Sequence, residues 1–125
     1  MSKTILYIDD NIQYLRMMHK MLTRAGFTVL EANDGMTGIK LAMEHSPDLV
    51  LTDMNMPDMH GLEVVARLRS STTLKHTPIV AVTANAMHGD REYFLEGGCD
   101  GYLPKPITRK ELFDTINELI GLEEQ

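Results

Sequence analysis

Five times along this chain a short apolar run gives way to a stretch with helical spacing, and that alternation leaves few folds open. The first run is Thr4 to Ile8, closed by Asp9 and Asp10. Asn11 to Ala25 follows, with Ile12, Leu15, Met18 and Leu22 at helical intervals; Asp10 or Asn11 can cap it and Gly26 stops it. Phe27 to Glu31 reads as a second strand. Asn33-Asp34-Gly35 makes a turn and cap before a helix carrying Met36, Ile39 and Met43, which Pro47 ends. Leu49 to Thr52 is a third strand, and Gly61 to Ser70 a helix with Leu62, Val65 and Leu68 on its apolar side. Pro78 to Thr83 is a fourth strand. Ala86 to Glu96 has helical character in spite of Gly89, and Gly97-Gly98 closes it. Gly101-Tyr102-Leu103 forms a short fifth strand. Thr108 to Glu111 is a capping box for a last helix through Leu112, Ile116 and Leu119 to Gly121. Runs one, three and four are almost wholly apolar, as parallel strands covered by helices on both faces must be. The expectation is one α/β domain over residues 1–125, a doubly wound five-stranded parallel sheet with five helices.

Composition narrows the function. With 43% apolar residues the chain can bury one core. A formal charge of −6 argues against direct nucleic-acid binding, which needs a basic stripe. No run approaches the roughly 20 apolar residues of a membrane helix, so no membrane insertion is expected. The N-terminal run is too short for a signal-peptide core and ends in two acids. Cys99, the sole cysteine, excludes an internal disulfide, reads as a small buried residue and suits a reducing cytoplasm. His19, His45, His60, His76 and His88 lack metal-ligand spacing. The ten methionines read as flexible core filler.

In open sheets of this kind the site lies beyond the carboxyl ends of the strands. Asp9 and Asp10 end strand one, Asp53 ends the third apolar run, Thr83 ends strand four, and Lys105 follows strand five. All five therefore fall at one rim. With strands one and three adjacent, three carboxylates converge, and such a group holds its charge only beside a cation. Oxygen ligands at a wet rim suit Mg²⁺. Acids, a hydroxyl and an ammonium are the parts of a phosphoryl-transfer site, with Asp53 as the nucleophile.

The set Ile8-Asp9-Asp10, Asp53-Met54-Asn55-Met56-Pro57 with Gly61, Val82-Thr83-Ala84 and Tyr102-Leu103-Pro104-Lys105-Pro106 resembles the receiver domain of two-component response regulators, single-domain regulators of chemotaxis or the cell cycle among them. The resemblance spans essentially the whole chain. It implies a flavodoxin-like fold with strand order 2-1-3-4-5. It implies that Asp53 is the phospho-acceptor, that Asp10 ligates Mg²⁺ directly and Asp9 largely through water, and that Asn55 gives the metal its backbone carbonyl. Thr83 and Lys105 would bind the phosphoryl oxygens, the Lys105-Pro106 bond would be cis, and Tyr102 would change rotamer as Thr83 moves. The partners implied are a histidine kinase or histidine phosphotransfer protein and a downstream protein target, in the cytoplasm. The protein would be a signalling switch rather than a turnover enzyme.

Plainer roles stand beside these. Asp9-Asp10 can cap a helix, Asp53 can be a turn residue before Pro57, Thr83 can cap the fourth helix, Lys105 can be a solvated charge and Tyr102 a half-buried strand aromatic. Asn55 and Asn85 can orient an attacking water or merely satisfy loop backbone. The chain stops soon after its last helix, so the signal is expected to leave through a protein or by onward transfer; a fragment of a larger regulator or hybrid kinase is the alternative. A flavin carrier on the same fold would need a hydroxyl- and glycine-rich loop where this chain has Asp-Asp-Asn. An aspartate-nucleophile phosphatase would place an acid where Asn55 stands. A pseudo-receiver acting only in docking would lack part of the acid, threonine and lysine set, which is complete here.

Overall fold

The structure, a computed structural model, describes residues 2–84 and 90–121. The strands are β1 (Thr4–Ile8), β2 (Thr28–Ala32), β3 (Leu49–Asp53), β4 (Ile79–Thr83) and β5 (Gly101–Pro104). They alternate with α1 (Ile12–Arg24), α2 (Gly35–His45), α3 (Gly61–Arg69), α4 (Asp90–Glu96) and α5 (Arg109–Ile120). All strand pairs are parallel and the order is β2-β1-β3-β4-β5, the order the sequence resemblance implies. Side chains alternate across the sheet. Ile5, Tyr7, Leu49, Leu51, Val80 and Val82 face α1 and α5, while Leu6, Ile8, Val50, Ile79 and Ala81 face α2, α3 and α4.

The caps follow the sequence closely. Asn11 accepts the Tyr14 N–H at the start of α1. Asp34 accepts that of Thr37 at α2, and Thr108 that of Glu111 at α5. Ser46 closes α2 in the left-handed region, immediately before Pro47. Strand ends shift slightly. β2 runs one residue later than its apolar run suggests, because Thr4 pairs with Thr28 and Ile8 with Ala32. β3 extends to Asp53, which pairs with Val82 on β4, so Asp53 is the last strand residue rather than the first of the loop.

Two expectations about helix faces fail. Met36 and Met43 are 53% and 43% exposed, not buried under α2. Glycine and alanine take the inner face instead: Gly35, Gly38 and Ala42 are buried beside Ile39. A Cβ at Gly38 would stand 2.4 Å from Ile8 Cδ1, so α2 lies too close to β1 for larger side chains. Ile12, the first residue of α1, is 48% exposed rather than part of the buried face formed by Leu15, Met18 and Leu22. The methionines divide accordingly: Met18, Met54, Met56 and Met59 are buried as core filler, and Met17 joins Met36 and Met43 at the surface. Cys99 is buried as expected, and burial pushes its thiol up to about 11. Asn85 and the Ala86–Gly89 part of the expected fourth helix lie outside the described residues.

Candidate functional site

Strand register assembles the site. Ile8 pairs with Thr52, Asp53 with Val82 and Thr83 with Pro104, so the carboxyl ends of β1, β3, β4 and β5 form one rim. Backbone hydrogen bonds continue just past it, from Met54 N–H to Val82 and from Lys105 N–H to Thr83. Carboxylate oxygens of Asp9, Asp10 and Asp53 lie within 4.8 Å of one another. It is the one metal-compatible acidic or histidine group among the described residues, and no described histidine joins it.

The three acids differ in environment. Asp10 is exposed, whereas Asp9 and Asp53 are 0% and 3% exposed. Asp9 is fully engaged. Its Oδ1 accepts the Asn11 N–H at 2.9 Å, and its Oδ2 accepts both the Tyr7 hydroxyl at 2.5 Å and the Lys105 ammonium at 2.9 Å. Asp53 is less well supplied, with the Asn55 N–H at 3.3 Å from Oδ1. Burial first and the Asp9 charge second push the Asp53 carboxyl up to about 6, against the pull of Lys105 and the Asn55 N–H. Burial, followed by the bond to Asp9, pushes the Tyr7 phenol far above its ordinary range.

Asn55 crosses the rim: its side-chain amide donates to the Thr83 hydroxyl at 3.1 Å. The loop that carries it is pinned by a bridge between Asn55 and His60 and by Asp58, which accepts the Gly35 N–H with both oxygens. Lys105 precedes a cis peptide bond to Pro106. Tyr102 is half-buried on β5 and stacks on Phe94 of α4 with ring centres 6.1 Å apart.

The predicted residues Asp9, Asp10, Asp53, Asn55, Thr83 and Lys105 thus meet at one place, with Tyr102 on the flank toward α4. Sequence reasoning missed Tyr7 and Tyr14. The ring of Tyr14 lies under Lys105, its centre 4.3 Å from Nζ. Tyr7 was legible in principle, since residues two apart on a strand share a face and Tyr7 precedes Asp9 by two. Nothing in the pattern of α1 links Tyr14 to Lys105.

Oxygen-only donors, one exposed and two buried, fit a hard divalent cation that keeps part of its water. Asp9 has little left to offer such an ion directly, because three donors already occupy its oxygens.

A doubly wound domain with acids, a threonine and a lysine at its carboxyl rim is the architecture of a receiver. The chain belongs to the response regulator receiver domain family, whose sequence model matches residues 5–117. It is 36% identical over 121 residues to the polar-differentiation response regulator DivK of Brucella ovis, covering 97% of this chain and 98% of that one. Among solved structures, the chemotaxis protein CheY4 of Vibrio cholerae superposes with a TM-score of 0.90 at 29% identity, over 96% of this chain and all of that one. The receiver domain of the sensor histidine kinase PA1611 from Pseudomonas aeruginosa has a TM-score of 0.88 at 32% identity, over 97% of this chain and 99% of that one. That structure holds a magnesium ion in its active-site cleft.

Proposed function

We propose that the protein is a phosphorylation-controlled signalling switch in which Asp53 accepts a phosphoryl group from a phosphohistidine on a kinase or phosphotransfer protein. The observation that carries this reading is the convergence of the Asp9, Asp10 and Asp53 carboxylates beside Lys105 at the mouth of the sheet. An Asp53 oxygen attacks phosphorus in line with the imidazole nitrogen. The O–P bond forms as the N–P bond breaks, and the departing nitrogen keeps the electron pair and takes a proton from solvent. Asp10, Asp53 and the Asn55 carbonyl would hold Mg²⁺, with Asp9 acting through water. The ion would supply charge neutralisation at the phosphoryl oxygens.

The phosphoryl group adds about −1.5 to −2 charges at the rim. Lys105 is drawn from Asp9 toward it, and the Thr83 hydroxyl exchanges its bond from Asn55 for one to a phosphoryl oxygen. Tyr102, stacked on Phe94, couples that movement to α4, and the face formed by α4, β5 and α5 presents the result to a downstream protein. The domain, spanning residues 1–125, acts in the cytoplasm as a switch that promotes its own phosphorylation and slow dephosphorylation.

The test is incubation with a small acyl phosphate donor and Mg²⁺, followed by intact-mass measurement and mapping of the modified residue. One added phosphoryl group on Asp53, absent from Asp53→Asn, is the expected result. Labelling that persists in that variant excludes Asp53 as sole acceptor, and rapid turnover of phosphate esters points to a hydrolase instead.

A further inference from the structure

The cation–π contact of Lys105 has no part in the transfer described above. The Lys105 ammonium is 4.3 Å from the centre of the Tyr14 ring while it pairs with Asp9 at 2.9 Å. Both partners belong to one local structure. Asn11 caps α1 by accepting the Tyr14 N–H, and its own N–H donates to Asp9 Oδ1. The turn that places the ring therefore also places the carboxylate. The Lys105 side chain is only 11% exposed, so little water competes for its charge, and an ammonium over an aromatic face gains most when it is desolvated. Lys105 makes no ion pair with Asp53 within 4.0 Å among the described residues.

We propose that Tyr14 is a positioning residue that holds Lys105 at a resting place between its ring and Asp9, and so sets how readily the ammonium passes to a phosphoryl group on Asp53. The inference rests on the reading of Asp53 as acceptor. An ammonium is attracted by a ring only within about 6 Å of its centre. A Lys105 that moves to phosphoryl oxygens gives up part of that attraction, whereas a chain without the ring gives up nothing. Tyr14 thus biases the switch toward its resting state through the lysine alone, touching neither phosphate nor metal.

The experiment compares wild type, Tyr14→Phe and Tyr14→Leu, with Tyr14→Gln in place of the leucine variant should that one not fold. Two quantities are read: the proton shifts of the Lys105 ε-methylene without ligand, and the affinity for beryllium trifluoride with Mg²⁺ as a phosphoryl mimic. Phenylalanine keeps the aromatic face and leucine removes it. Wild type and Tyr14→Phe should show upfield ring-current shifts and affinities within about twofold of each other. Tyr14→Leu should lose the shifts and bind the mimic about threefold to tenfold more tightly. Equal or weaker binding by Tyr14→Leu, or unshifted lysine signals in the wild type, overturns the inference while leaving the acceptor reading in place. A wild type that neither binds the mimic nor takes up a phosphoryl group overturns both.

Discussion

Tyr7 on β1 and Asp9, one residue beyond its carboxyl end, meet through a 2.5 Å hydrogen bond from the tyrosine hydroxyl to Asp9 Oδ2, the oxygen that also receives Lys105. A buried carboxylate needs donors, and here one of the two on Oδ2 is neutral and stays in place when the lysine leaves. Tyr7→Phe preserves the ring and removes only the hydroxyl. A hydrogen bond to a charged group is worth about 1.5–3 kcal/mol, and the variant should lose that much stability in urea denaturation at pH 7. Calorimetry should also show weaker Mg²⁺ binding, because Asp9 is no longer held in orientation. An unchanged midpoint would mean that the hydroxyl contributes nothing beyond packing.

Asp53 makes stability depend on pH. Its folded carboxyl lies at about 6, above the ordinary 3.8, so the native state binds this proton more tightly than the unfolded chain does. The sign follows: native stability falls as pH rises from about 4 to about 6, and ionised Asp53 is a net cost at neutral pH without a cation. About two units correspond to roughly 2–3 kcal/mol. Asp53→Asn should therefore be more stable than wild type by up to that amount at pH 7.5 in chelator. The gain should shrink toward zero near pH 4. Denaturation curves at several pH values check it, and a gain independent of pH would contradict the assigned cause.

Mg²⁺ should reverse that cost. Three carboxylates within 4.8 Å repel one another until a cation joins them. A ligand that binds only the native state at 100 times its Kd stabilises by about 2.7 kcal/mol, so the melting temperature of the wild type should climb with Mg²⁺. Asp10 is the exposed member of the set, with an open approach from solvent. Asp10→Ala should lose most of the climb and bind Mg²⁺ more weakly in calorimetry. Equal affinities in the two proteins would rule out direct ligation by Asp10.

The sheet was legible because β1, β3 and β4 are buried on both faces and so read as unbroken apolar runs, and α1, α2 and α5 carry side-chain caps. The site was legible for the same reason: polar residues that end such runs share a rim. What the pattern hid was contact geometry. The inner face of α2 is built from Gly35, Gly38 and Ala42, because closeness to Ile8 excludes volume, and a periodicity count that rewards large side chains selects Met36 and Met43 instead. The partners of Lys105 were hidden as well. Asp9 and Tyr14 reach it from β1 and α1, far from it in sequence, and spacing carries no record of which ring an ammonium rests on.

Gly61 shows how close packing at a distance from the acids still governs them. A Cβ there would stand 2.6 Å from the Met54 Cα and 2.5 Å from the Met54 Sδ. The sulfur can swing aside, but the backbone atom cannot without opening the loop from Met54 to His60. That loop carries Asn55, whose amide reaches Thr83 and whose N–H reaches Asp53. Gly61→Ala should cost about 1–3 kcal/mol, the usual range for forcing extra volume into a packed site. Gly35→Ala makes a useful contrast. Its nearest contacts would be 3.1–3.3 Å and involve side chains only, so a smaller loss is expected although it faces the same loop. If loop geometry supports the metal site, Gly61→Ala should also weaken Mg²⁺ binding beyond Gly35→Ala. Calorimetry on the two folded variants decides, since equal affinities would confine Gly61 to stability and detach the loop from the chemistry at Asp53.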